Sequence, residues 1–459
     1  MGVTNPSDES PSAEQLQQWD CENVWHAFTQ MAEYQPFLIE RAEGCFLYDI
    51  EGRRYLDGVS SLWCNVHGHR HPHLNAAIAG QLDAVAHVTS LGVSNPTTIR
   101  LAKRLAELSP AGLEHVFFSS DGASAVEAAL KMAFQYWRQR ENPQPQKTKY
   151  IAYAGAYHGD TIGAVSVGGV ARFHAMFNPL LFEVLRLSSP QVYRAAPEIT
   201  AENACEHYLQ ELEQLLKEQH QEIAALVIEP LAQGAAGMIT HPPGYLRGVR
   251  ELTRRYDVLL IADEVAVGMG RTGTLFACEQ EEVAPDLLAM GKGLTGGYLP
   301  MAATLASSEI WRAFLGEYHE YKTFFHGHTY GGNPLAAAAA LATLEVFENE
   351  SVLEALPAKA ARLNDHLTAL QNDHPWAGAV RQRGLLAGVE LVSDRANKEP
   401  FPVEQRIGAQ VCSAALERGV WLRPLGDVMV LMPPLAISME EIDLLGEVLR
   451  ESLFAVSAG

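Results

Sequence analysis

The sequence holds no apolar run near the roughly 20 residues that a bilayer-spanning helix requires, no Cys-x-x-Cys pair and no surplus of basic residues. The first absence excludes a helical membrane protein. The second removes the usual zinc and dithiol signatures. Cys21, Cys45, Cys64, Cys205, Cys278 and Cys412 are scattered, a pattern of free thiols in a reducing compartment. The third reflects 34 basic against 55 acidic residues, a formal charge of −21. That balance argues against nucleic acid or an anionic membrane as partner, and leaves room for a local basic pocket. Residues 1–18 are polar and lack the basic start and apolar stretch of a secretory signal. They read as a flexible tail, and the chain reads as a cytoplasmic enzyme.

What is present is 459 residues, 47% of them hydrophobic, enough for two or three structural units. Residues 37–57 show short β-like pieces with turns at Gly44 and Glu51-Gly52. From about residue 96, helical stretches (97–108, 123–140, 203–220, 244–256) alternate with apolar strands (115–119, 150–153, 223–228, 258–262). Such alternation implies parallel pairing with helices over both faces. Beyond 346, helices mix with short strands at 386–391 and 429–431. The expected architecture is α/β, a large domain with a mainly parallel central sheet plus a smaller α+β domain built from both chain ends. The boundaries read as a tail at 1–20, small-domain parts at 21–75 and 346–459, and a large domain at 76–345.

The chemistry centres on two residues. Asp263 closes the apolar strand Val258-Leu259-Leu260-Ile261-Ala262. In open α/β sheets ligands bind beyond the carboxyl ends of the strands, so an acid there is placed to meet one; a helix N-cap is the alternative. Lys292 stands between Gly291 and Gly293 with no acid within five residues. A desolvated lysine loses its proton and attacks carbonyls. Pyridoxal phosphate needs such an amine for its Schiff base and an acid at its ring nitrogen. Val265, on the same strand face as Asp263, and Tyr157 are placed to pack on the two ring faces. Ser119-Ser120-Asp121-Gly122-Ala123 opens a helix and offers free amides to a phosphate, although the charge of Asp121 suits a helix cap better. Thr329, in Gly327-His328-Thr329, is a second phosphate candidate.

Other motifs compete. Gly268-Met269-Gly270-Arg271-Thr272-Gly273 is literally a dinucleotide fingerprint, which would make the chain a nicotinamide-dependent dehydrogenase, but a long helix should follow it and Pro285 comes too soon. His67, His69, His71 and His73 alternate in a spacing foreign to zinc sites, which favours a structural turn over a metal centre.

The block Ile261-Ala262-Asp263-Glu264-Val265-Ala266-Val267-Gly268-Met269-Gly270-Arg271-Thr272-Gly273, with Gly291-Lys292-Gly293 behind it, resembles the class III, fold-type I aminotransferases. Within that class, Val24-Trp25-His26-Ala27-Phe28, Ser60-Ser61-Leu62-Trp63, Tyr157-His158-Gly159-Asp160-Thr161 and Arg423-Pro424-Leu425-Gly426 look most like the branch that converts 8-amino-7-oxononanoate to 7,8-diaminononanoate in biotin synthesis. The resemblance implies pyridoxal phosphate on Lys292, Asp263 at the ring nitrogen, and Gly122 and Ala123 at the phosphate. It implies His328 and Thr329 supplied by the second subunit of a homodimer. It implies a substrate pocket from Phe28, Leu62, Trp63, Tyr157, Gly327 and Arg423, with Arg423 on the keto acid's carboxylate. The donor is S-adenosylmethionine or L-lysine. Phe28 stands where the branch usually has a tyrosine and lacks its hydroxyl, Leu62 replaces the first of an aromatic pair, Val430 stands where a tyrosine is often found, and similar changes mark its lysine-using members. A general ω-amino acid aminotransferase is the alternative within the class.

Overall fold

The computed structural model describes residues 11–458. Seven strands form the central sheet: β1 (Leu113–Ser119), β2 (Lys149–Tyr153), β3 (Leu185–Leu187), β4 (Ile223–Ile228), β5 (Leu259–Asp263), β6 (Leu287–Met290) and β7 (Ala302–Ser307). Their spatial order is β1-β7-β6-β5-β4-β2-β3. β4, β5 and β6 are buried along their whole length, the pattern of strands covered on both faces. Burying each such Leu, Ile or Val contributes about 1.5–3 kcal/mol.

All neighbours are parallel except β7, which runs against both β6 and β1. Sequence alternation alone does not reveal that reversal. The segment between β6 and β7 carries only the one-turn helix Lys292–Thr295, too short for a right-handed crossover, so the chain returns antiparallel. The other six strands point their carboxyl ends the same way, and β5 delivers Asp263 to that edge.

Both chain ends meet outside this sheet. The meander Ile39–Glu43, Phe46–Asp49, Arg54–Asp57 is extended by Val420–Trp421, which pairs parallel to Leu56 and Asp57. A second sheet joins Ala377–Arg383, Leu386–Leu391, Val428–Leu431 and Arg423–Leu425, and its edge carries Arg423. Within the segment expected to be tail, Ala13–Asn23 is a helix. Ser12 accepts from Gln15 N while the Gln15 side chain accepts from Ser12 N, a capping box that satisfies two helix-start donors at once. No helix among the described residues is long and apolar enough to cross a membrane.

Candidate active site

The helix Gly122–Gln139 begins at the carboxyl edge of β1. Asp121 is its N-cap. One carboxylate oxygen accepts from Ser124 N at 2.9 Å and the other from Ser124 Oγ at 3.0 Å, so its charge turns into the helix's own first turn. The amides of Gly122 and Ala123 have no acceptor among the described residues. Two free amides on the positive end of an 18-residue helix form a seat for an anion. The wall around that seat is tight. A Cβ on Gly122 would lie 2.6 Å from Val265 Cγ1, and one on Gly159 would lie 2.3 Å from Ala123 Cβ.

Asp263 sits buried at the end of β5. Its carboxylate contacts His158 Nδ1 at 2.7 Å and accepts from Val265 N at 3.0 Å. Lys292 follows β6 with φ +42, a left-handed conformation that costs a non-glycine residue about 1–2 kcal/mol. Burial lowers its affinity for a proton, opposed by the charges of Asp263, Glu229 and Cys64. Its Nζ lies 5.4 Å from the Trp63 ring centre. Tyr157 donates its hydroxyl to Asp160 at 2.7 Å, and its backbone N–H donates to Glu229 at 3.1 Å. Burial and the neighbouring Asp160 push the Tyr157 phenol well above its usual range, so it stays protonated. Glu229 also accepts from Gly234 N at 2.9 Å, and burial raises its carboxyl to about 7.

Gly122, Ala123, Tyr157, Asp263, Val265 and Lys292 line one cavity of about 490 Å³. An adjoining cavity of about 440 Å³ shares Trp63, Tyr157 and Lys292 with it, and adds Phe28, Leu62 and Arg423. The fold thus gathers every expected site residue except Gly327, His328 and Thr329. Those three line neither cavity; their segment is exposed, with Phe325 and Tyr330 turned outward at 71% and 64% exposure.

The structure also supplies residues that the sequence did not signal. Arg172 and Phe173 line the second cavity, Glu229 and Thr161 the first. Thr161 Oγ1 is buried there without a partner among the described residues. His158, noticed only as motif, is the partner of Asp263. Arg271, weighed as part of a dinucleotide fingerprint, is a buried guanidinium donating to Pro433 O, Ser60 Oγ and Asn65 O. Desolvation lowers its pKa to about 10. It pins the turn Ser60–Trp63, in which Ser60, Ser61 and Trp63 all take positive φ. Only the one-turn helix Ala277–Glu281 follows the glycine motif, and it is no cofactor-binding helix. The four alternating histidines diverge: His67 to Thr343 O, His69 to Asp57, His71 to Glu350 and His73 to Glu345.

An anion seat, a buried acid and a poorly solvated lysine on one cavity fit pyridoxal phosphate. Residues 28–453 match the model of the class-III aminotransferases, and the chain belongs to that family of pyridoxal-phosphate-dependent enzymes. It is 51% identical over 449 residues, 97% of this chain and 98% of the relative, to an adenosylmethionine-8-amino-7-oxononanoate aminotransferase of Geobacter sulfurreducens. A solved structure of the enzyme so named from Methanocaldococcus jannaschii superposes with TM-score 0.91 at 44% identity, covering 97% of this chain and 99% of that one. A thermostable (S)-enantioselective omega-transaminase from Thermomicrobium roseum superposes with TM-score 0.93 at 38% identity, covering 98% and 100%.

Proposed function

We propose that this aminotransferase converts 8-amino-7-oxononanoate to 7,8-diaminononanoate in biotin synthesis, with L-lysine rather than S-adenosylmethionine as donor, working as a cytoplasmic homodimer. The observation that carries the substrate assignment is Arg423, a guanidinium without a partner among the described residues, on a largely apolar cavity that Lys292 also lines. An ω-carboxylate at Arg423 and a methylene chain along Phe28, Leu62 and Trp63 suit that keto acid. Lysine as donor is supported by Phe28, Leu62 and Val430, which line this cavity without the extra aromatic surface and hydroxyls that an adenosyl group would use. All six cysteines are free, in keeping with the compartment proposed.

Gly122 and Ala123 would hold the cofactor's phosphate, Tyr157 and Val265 its ring faces, Asp263 its ring nitrogen and Lys292 its aldehyde carbon. Bound pyridoxal phosphate supplies an electrophilic carbon for amine exchange and a ring that stabilises the carbanion left by proton loss. Asp263 holds a proton on the ring nitrogen. Lys292 Nζ takes and returns the proton at the substrate's reacting carbon, a role its lowered proton affinity suits. Tyr157 and Trp63 close the walls against water. Arg423 orients the carboxylate as a bidentate fork. His328 and Thr329 of a second copy complete the phosphate seat, and Gly327 of that copy the substrate pocket. The outward Phe325 and Tyr330 beside them support a dimer through this segment.

Incubating the holoenzyme with the keto acid and each donor separately tests the reading. Diamine from lysine alone is expected. Diamine from S-adenosylmethionine alone refutes the donor, and none from either refutes the substrate. The likeness to the Thermomicrobium enzyme favours a second reading, a general ω-transaminase. In that case Arg423→Gln would leave turnover of carboxylate-free amines as its main activity intact, with no diamine formed by the unaltered enzyme.

A further inference from the structure

The substrate cavity carries more positive charge than one carboxylate needs. Its wall includes two guanidiniums, Arg172 and Arg423, and no acidic side chain among the described residues. Neither guanidinium has a hydrogen-bond or ion-pair partner among the described residues. A structural arginine of this fold is treated otherwise: Arg250 grips both oxygens of Asp286 at 2.6 and 2.8 Å.

Arg172 is tied to this wall. It stands on the short helix Ala171–His174, and the next residue, Phe173, packs edge-on against Phe28 at 5.3 Å and against Tyr157 at 6.4 Å. Its Nη1 lies 3.2 Å from where a Cβ of Gly426 would project. Gly426, at φ +63, thereby leaves room for a second guanidinium beside the turn that follows Arg423-Pro424-Leu425.

We propose that Arg172 is a specificity-determining residue that, with Arg423, binds the carboxylate of the amino donor at the end of the cavity remote from Lys292. The donor then reacts through the amine at the opposite end of its chain. This rests on the reading of Lys292 as the reacting end. The charge pattern gives the reason. A lysine entering ε-amine first lays its methylenes along Phe28, Trp63 and Phe173 and presents its carboxylate to both guanidiniums, with its α-ammonium turned to the open mouth. S-adenosylmethionine reacts at the carbon that bears its carboxylate, so its carboxylate stays near Lys292 and its sulfonium cation faces two arginines. Like charges there cost affinity.

The net reaction balances. The donor's terminal CH2–NH2 becomes an aldehyde, losing its amine and two electrons with one C–H proton. The ketone of the acceptor gains that nitrogen, the two electrons and a proton as CH–NH2; the aldehyde oxygen comes from the water consumed in the first half, and the ketone oxygen leaves as the water released in the second.

The test compares 6-aminohexanoate with hexylamine, which differ only in the remote carboxylate. The holoenzyme is mixed with each, and single-turnover loss of the cofactor's visible absorbance is followed. Arg172→Gln is expected to lower the kcat/KM ratio of the acid over the amine at least tenfold, mainly through KM, and Arg172→Lys to lower it less. Hexylamine turnover reports that the variant is folded. A ratio unchanged within twofold in Arg172→Gln overturns the proposal. In the full reaction, ε-15N-lysine is expected to label the diamine, and label arriving from α-15N-lysine instead overturns it. Absence of diamine together with the expected ratio change would sink the keto-acid assignment and leave the role of Arg172 standing.

Discussion

Replacing Gly159 by alanine tests how tightly the anion seat is built. The added Cβ would stand 2.3 Å from Ala123 Cβ and 2.7 Å from Ala123 Cα. Carbon atoms rest at about 3.5–4.0 Å, so the loop and the helix start must part by more than 1 Å, roughly. Gly159 also has φ +117, which costs a non-glycine residue about 1–3 kcal/mol. Overpacking adds about 1–3 kcal/mol. The sum, about 2–6 kcal/mol, falls on the two free amides that open the helix Gly122–Gln139. Gly159→Ala should therefore lose at least tenfold in cofactor affinity, measured by titrating the apoenzyme while following absorbance, and should unfold at lower urea. Gly80→Ala is the counterpart. Gly80 lies in the helix Pro72–Ala84 with nothing within 4 Å of a Cβ, and should gain about 0.5–1 kcal/mol. Wild-type cofactor affinity and urea midpoint in Gly159→Ala would refute the argument from close approach.

Asp263→Asn keeps an acceptor for Val265 N but removes the charge facing His158 and, on the proposed reading, the cofactor's ring nitrogen. Activity should fall by about 10²-fold, the equivalent of about 3 kcal/mol for a charge-assisted hydrogen bond, in steady-state assays at saturating cofactor. Arg271→Lys cannot reach Pro433 O, Ser60 Oγ and Asn65 O with one ammonium; a loss of about 1–3 kcal/mol in urea unfolding is expected, with a raised substrate KM from the loosened Leu62-Trp63 turn. Glu264 is buried, accepts from Ala277 N and Cys278 N, and has its carboxyl raised to about 7, chiefly by desolvation. Between about pH 4.5 and 7 the folded chain holds a proton there that the unfolded chain has released. This contribution to stability is complete below that window and lost as pH rises through it, on the order of 3 kcal/mol. Apoenzyme urea unfolding should show the decline, and Glu264→Gln should make it shallower.

Much of the large domain is legible in the residue order because its signals are local. β4 is one uninterrupted apolar run, Ile223–Ile228, and its observed bounds coincide with the expected ones. Asp121 declares itself by position, an N-cap type before a helical pattern, and its side chain does cap. β6 and β7 are less legible. Leu287–Met290 has only four residues and Ala302–Ser307 is half alanine, and only pairing with neighbours makes them strands. The helix Val352–Asp373 carries Pro357 as its sixth residue, past the first turn, where local pattern argues for a break and the helix nevertheless continues.

The site divides along the same line. The sequence by itself determined the chemical inventory: a lysine free of nearby acids, an acid ending a buried strand, and a Gly-containing turn opening a helix. Each is a statement about neighbours in the chain. Only the tertiary structure decided that Glu229 braces Tyr157, that Arg271 pins the turn before Trp63, and that Arg172 and Arg423 line one cavity. Those pairings join residues far apart in the chain, and their geometry is set by tertiary packing. Such distances enter no local pattern, so the folded chain alone specifies them.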